Sequence, residues 1–137
     1  MDLNARSVEY FYLRFQSELG RAYELLARLA EEGINLLAFS AVPFGPNHVE
    51  FTIFPERGED LVRAAKKLGL TLIGPQHACL INGDDRLGAF ADIHKSLVDA
   101  GVDIYASSGV TDGSGRYGYV IYFKEGDYAR VSKALGA

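Results

Sequence analysis

The sequence predicts an α+β fold built from two copies of one unit, and this rests on a repeat and on local patterning. Shifted by 68 positions, Leu19-Gly20 falls on Leu87-Gly88, and Gly33-Ile34-Asn35-Leu36 falls on Gly101-Val102-Asp103-Ile104. Within each copy, strand-like and helix-like segments follow one another in the same order. A chain of 137 residues therefore holds two small units instead of one ordinary domain.

The first copy has the order βαββαβ. Val8–Phe15 is rich in aromatic residues and is predicted to be a strand, after which Ser17 is the expected helix cap. Ala22, Leu25 and Leu29 recur at helical spacing, and Gly33 ends that helix. The remaining elements are predicted at Leu36–Val42 (strand), His48–Phe54 (strand), Gly58–Leu68 (helix) and Leu70–Ile73 (strand).

The second copy repeats this order but stops one strand short. Its elements are predicted at Ala78–Asn82, Arg86–Ala100, Ile104–Val110, Tyr117–Lys124 and Asp127–Leu135. Gly74-Pro75 is the only plausible seam, so the units are placed at 1–74 and 75–137. The prediction is two ferredoxin-like βαββαβ units, the second lacking its last strand, with antiparallel sheets that carry helices on one face.

Such a sheet leaves its other face uncovered. Alternation along the first and last strands assigns four tyrosines to that open face: Tyr10, Tyr12, Tyr117 and Tyr119. So apolar a surface needs a cover, and we expect a homodimer formed through it.

Composition excludes several classes of protein. The formal net charge is −4, from 14 Lys+Arg against 18 Asp+Glu, and no basic stripe is present, which argues against a nucleic-acid partner. A single cysteine excludes a disulfide scaffold and fits a reduced, cytoplasmic setting. No apolar run is long enough to cross a membrane, and the start, Met1-Asp2-Leu3-Asn4, has no secretory pattern.

Two kinds of loop offer binding chemistry. In Gly83–Phe90 a glycine lies near a helix N-terminus, where free backbone N–H groups favour an anion, and Ser17–Arg21 occupies the same place in the first copy. Asn35 and Asp103 stand at strand entries and offer acceptors for an ammonium group. The simpler interpretation is that these residues only cap helices and shape turns.

The segment from Asp85 to Ile93, followed by Leu97 and by Ala100-Gly101-Val102-Asp103-Ile104, resembles the ACT domain. The first copy matches through Leu19-Gly20 and Gly33-Ile34-Asn35-Leu36, and the resemblance is greatest to small proteins of two ACT units. It implies a regulatory, non-enzymatic protein that binds an amino acid between units without a cofactor. The implied ligand-binding residues are Glu18, Leu19, Gly20, Arg21, Asn35, Asp85, Arg86, Leu87, Gly88, Ala89, Asp103 and Tyr105.

Three other functions are open at this stage. One is a ligand-free dimerisation module, and another is an RNA-recognition module, because Gly115–Tyr122 approximates the RNP1 pattern with Tyr117 and Tyr119 as stacking residues. An enzyme or metal site is disfavoured, since His77 and Cys79 form only a lone pair and His94 falls on an apolar helix stripe. Cys79 is expected in the core, and Asp84-Asp85 is expected to cap a helix.

Overall fold

The computed structural model describes residues 3–137; Met1 and Asp2, on which the secretory-signal interpretation partly rests, lie outside the described residues. The chain has an α+β fold of antiparallel strands and helices, which confirms the predicted fold class. The strands are β1 (Leu3–Gln16), β2 (Leu36–Pro43), β3 (His48–Pro55), β4 (Ile73–Asp84), β5 (Ala106–Thr111) and β6 (Arg116–Tyr122). The helices are α1 (Arg21–Glu31), α2 (Gly58–Leu68), α3 (Ala89–Asp99) and α4 (Tyr128–Leu135).

The chain divides into two compact units. The first unit is Glu9–Gln76, and the second combines residues up to Val8 with His77–Ala137. Strands β1 and β4 therefore each contribute one part to the first unit and the other part to the second. The strand order is β2-β3-β1-β4 in the first unit and β1-β4-β6-β5 in the second.

The second unit has a fourth strand even though its own repeat ends on a helix. Residues 3–8 belong to it, and Leu3 and Ala5 pack against its core. The backbone of Arg6 also hydrogen-bonds Cys79 of β4. Residues 3–8 thus fill the place of the fourth strand that the second repeat lacks.

Each unit buries one sheet face under its own two helices. In the first unit, Phe11, Phe51 and Ile53 pack against Leu29 of α1 and Leu61 of α2. In the second unit the core consists of β4 and β6 side chains packed against α3 and α4, namely Cys79, Ile81, Tyr117, Tyr119, Ile121, Ile93, Leu97, Val131 and Leu135. Cys79 is buried in this core, as predicted.

The prediction that four tyrosines share an open sheet face is wrong. Tyr117 and Tyr119 lie on the helix-covered face of β6, so neither is available for dimerisation or for stacking on RNA bases. Tyr10 is also buried: its ring is 5.3 Å from that of Phe54, and its hydroxyl donates to Gln76 Oε1 at 2.7 Å. Tyr12 is half-buried.

The predicted starts of one strand and two helices also change. The strand expected at Leu70–Ile73 begins only at Ile73 and continues to Asp84. The helices α1 and α3 start later than expected, because glycine in the left-handed conformation precedes each of them and no side chain caps them. Ser17 is accordingly not the cap of α1; its backbone N–H donates to the carbonyl of Asn47.

Candidate functional site

The loop before α1 is organised around Gly20. Gly20 has φ 82°, a left-handed conformation that suits glycine, and its carbonyl accepts the N–H of Glu24. An added Cβ would meet no atom within 4 Å, so the backbone is open to approach. Leu19 beside it is fully exposed. The loop therefore presents an apolar tip and accessible backbone at the start of a helix.

Arg21, the first residue of α1, is held in place from two sides. Its Nη2 lies 2.9 Å from Glu18 Oε2, and its guanidinium lies over the ring of Phe15, 5.2 Å from the centroid. Its Nε is buried and has no hydrogen-bond partner. A buried N–H without an acceptor costs about 1–3 kcal/mol.

The second unit builds the same loop with different side-chain pairs. Gly88 has φ 81°, and an added Cβ meets nothing within 4 Å. Leu87 is fully exposed, while Ala89 is buried. Arg86 is bonded to Asp92, which raises the pKa of the guanidinium above its ordinary value. The backbone N–H of Asp85 donates a hydrogen bond to the carbonyl of Gly115 at 2.8 Å.

The strand-entry residues lie at the other end of each first helix. Asn35 Nδ2 donates to Glu56 Oε2 at 2.7 Å, and the backbone N–H of Glu56 donates to the Asn35 carbonyl at 2.9 Å. A helix of 11 residues is about 16 Å long, so Asn35 does not meet Gly20 in the same unit. A small ligand therefore cannot contact both kinds of residue within one unit.

Asn35 lines a small polar cavity that the sequence did not reveal. The cavity has a volume of about 240 Å³ and is lined by Gly33, Ile34, Asn35, Glu56, Arg57 and Asp60. In the second unit, Asp103 and Tyr105 are exposed. The pKa of Tyr122 is raised, first by burial and then by the neighbouring Tyr105.

A hydrogen-bonded line of side chains in the second unit was also missed. His94 Nε2 is 2.5 Å from the hydroxyl of Tyr119, which donates to Ser107 Oγ at 2.9 Å. Tyr119 also stacks on Phe90, with ring centroids 4.3 Å apart. His94 is thus a satisfied packing histidine, as its place on the apolar stripe of α3 indicated.

Comparison of the two repeats could have identified this hydrogen-bonded line. Shifting back by 68 positions replaces His94, Ser107 and Tyr119 by the apolar residues Leu26, Phe39 and Phe51. Phe39 and Phe51 pack ring to ring at 5.5 Å in the first unit. The second unit therefore has polar side chains at three equivalent positions where the first unit has apolar ones.

The other chemistry-bearing residues form structural pairs. His77 Nδ1 lies 3.2 Å from Glu125 Oε2, and Asp84 Oδ1 accepts from Arg116 at 2.7 Å. Within residues 3–137, no group of three or more His, Cys, Asp or Glu side chains is arranged to hold a metal ion. In the same range, no helix is long and apolar enough to cross a membrane.

Comparison with known proteins places the fold. No protein-family model matches the sequence, and no curated protein matches it. Among solved structures, the chain is similar to protein BT0572 from Bacteroides thetaiotaomicron, with 20% identity over 94% of this chain and 88% of that chain and a TM-score of 0.78. It is also similar to the regulatory subunit of aspartate kinase from Thermus thermophilus in its ligand-free form, with 17% identity over 99% and 95% and a TM-score of 0.65.

The corresponding regulatory subunit from Thermus flavus gives a TM-score of 0.64, with 13% identity over 99% of this chain and 95% of that chain. The two Thermus neighbours are regulatory subunits of aspartate kinase. The chain accordingly has an ACT-like fold, in agreement with the resemblance seen in its motifs.

Proposed function

We propose that this chain is a regulatory protein that binds a free amino acid, or a similar small zwitterion, at its two glycine loops. The ligand carboxylate approaches the backbone at Gly20 or Gly88 of one chain. The ammonium group contacts a strand-entry residue, Asn35 or Asp103, of the other chain in a homodimer. The chain performs no chemistry on the ligand; binding biases assembly or contact with another protein.

The observation that carries this proposal is the repetition of one exposed loop. Both units place a left-handed glycine directly before a helix, with a fully exposed leucine ahead of it and free space above the glycine. The Arg21 side chain, which is 29% exposed, adds a guanidinium suited to a carboxylate in the first unit. The ACT-like fold of the neighbouring regulatory subunits fits the same role.

Thermal unfolding in the presence of each of the twenty amino acids tests the proposal. A ligand at about 100 times its dissociation constant adds about 2.7 kcal/mol of stability, which is seen as a clear rise in melting temperature. Sedimentation with and without the active ligand then measures assembly. No shift with any amino acid would refute ligand binding and leave the ligand-free dimerisation module as the function.

Gly88→Ala is the variant that links binding to the loop, and Gly113→Ala is its matched control. Gly88 has φ 81° and Gly113 has φ 80°, and an added Cβ meets nothing within 4 Å at either position. Both variants thus carry the same backbone strain, of about 1–2 kcal/mol. Only Gly88→Ala should weaken the ligand-induced shift of the second unit, because only its methyl group occupies the approach to the loop.

A further inference from the structure

The second unit has a groove between α3 and α4, away from its glycine loop. The groove has a volume of about 550 Å³ and is lined by Ser96, Asp99, Ala100, Arg130, Lys133 and Ala134. Ala100 caps the end of α3, and Ala134 is the residue before the last one of α4. Both alanines are half-buried against the core, so they form the floor.

The first unit shows why this groove is open. The caps Glu32 and Ala100 are equivalent ends of α1 and α3, and the cap glycines Gly69 and Gly136 are equivalent ends of α2 and α4. Counting back from those glycines, Lys67 is therefore equivalent to Ala134.

In the first unit, Lys67 Nζ lies 3.0 Å from Glu32 Oε1, and this ion pair crosses between the two helices. The second unit has alanine at both positions, so a carboxylate and an ammonium group are replaced by empty space. A local ion pair at the second helix of each unit is retained: the pair of Arg63 with Asp60, three residues apart, recurs as that of Arg130 with Asp127.

The walls of the groove carry one carboxylate, Asp99, and two cations, Arg130 and Lys133. Arg130 is already bonded to Asp127 and to the carbonyl of Gly101. Within residues 3–137, Lys133 on α4 has no ion-pair partner. Asp99 on α3 is bonded to Lys95 at 2.7 Å, but both side chains are more than half exposed, so this pair is weak. A carboxylate accepts several hydrogen bonds, which leaves Asp99 able to accept another.

We propose that this groove binds a small zwitterion whose ammonium and carboxylate groups stand at opposite ends of a short carbon chain, that is, an ω-amino acid. The ligand carboxylate contacts Lys133, its ammonium contacts Asp99, and its methylene groups cover Ala100 and Ala134. One molecule thereby supplies the two charges that the first unit provides with Glu32 and Lys67. The site shares no residue with the glycine loops and stands apart from the function proposed for them.

Titration of the labelled full-length protein with δ-aminovalerate, followed by amide NMR, tests this site. We expect saturable shifts at Ala100, Lys133 and Ala134. Pentanoate lacks the ammonium and pentylamine lacks the carboxylate, so each should bind roughly tenfold more weakly, the loss expected for one charge-assisted contact. Absence of saturable shifts with δ-aminovalerate, or equal binding of pentanoate, would overturn the proposal.

The variant Ala100→Glu with Ala134→Lys installs the ion pair of the first unit and fills the groove. We expect it to lose the shifts at Lys133 while keeping the wild-type circular dichroism spectrum. Retained binding in this folded variant would refute the site. Should it not fold, Lys133→Gln decides: this surface change should weaken δ-aminovalerate roughly tenfold, and unchanged affinity would refute the assignment.

Discussion

Gly109 is the position where a single methyl group should damage the second unit. Gly109 pairs with Tyr119 across β5 and β6, beneath the stack that Tyr119 makes with Phe90. A Cβ on Gly109 would lie 2.7 Å from Tyr119 Cδ1 and 2.8 Å from Phe90 Cζ. Both rings would have to shift by several tenths of an ångström, and the Tyr119 hydroxyl is anchored by His94 and Ser107.

Gly118→Ala is the matched control, since Gly118 lies on the adjacent strand and an added Cβ there meets nothing within 4 Å. Both variants gain about 0.4–1 kcal/mol from the reduced entropy of the unfolded chain. The difference between them is therefore the overpacking cost at Gly109, about 1–3 kcal/mol. Urea unfolding followed by far-UV circular dichroism measures it, with equal m-values required for the comparison.

A Gly109→Ala midpoint equal to or above that of Gly118→Ala would refute this reasoning. The variant Phe90→Ala tests whether the clash with the Phe90 ring causes the destabilisation. In the first unit, Ala22 is equivalent to Phe90 and Ala41 is equivalent to Gly109, so that unit has alanine at both positions. With the Phe90 ring removed, the penalty of Gly109→Ala should fall by about half or more, because neighbouring substitutions couple through shared contacts.

Two further predictions concern buried polar atoms. Burial raises the pKa of the Cys79 thiol to about 11, so the folded state keeps the thiol protonated. The free energy of unfolding should be unaffected below pH 9 and should fall as the pH rises from 9 towards 11, by at most about 3 kcal/mol relative to Cys79→Ala. Unfolding curves of both proteins across this range that run parallel would contradict it. Tyr10→Phe removes the donor to Gln76 and should lower the unfolding free energy by about 1 kcal/mol, whereas Tyr12→Phe should change it by less than half of that; equal effects in urea unfolding would count against the Tyr10 contact.

Local signals predicted the elements that have well-marked ends. The bounds of α2 agree with the sequence prediction, because Glu59 and Asp60 occupy its first turn and Gly69 takes the left-handed conformation after it. The starts of α1 and α3 were placed too early, since the rule for side-chain caps favours serine and aspartate, whereas the structure uses Gly20 and Gly88.

Alternation along β6 gave two sets of side chains but did not say which set faces the helices. The repeat register held that information, because Tyr119 is equivalent to Phe51, a core residue of the first unit. The contribution of residues 3–8 to the second unit was not accessible from local patterns. A strand far away in sequence fills that place, and propensity carries no record of its partner.

The two units keep one backbone plan but differ in several side-chain clusters. The loop glycines are retained with nearly identical geometry, whereas the apolar set with Leu26 becomes the hydrogen-bonded line with His94, and the pair of Glu32 with Lys67 becomes two alanines. The line with His94 avoids the cost of burying polar groups because its members hydrogen-bond one another. Under the proposed function we therefore expect the two glycine loops to differ in ligand affinity, and an amino acid that shifts only one of the two units is the expected result.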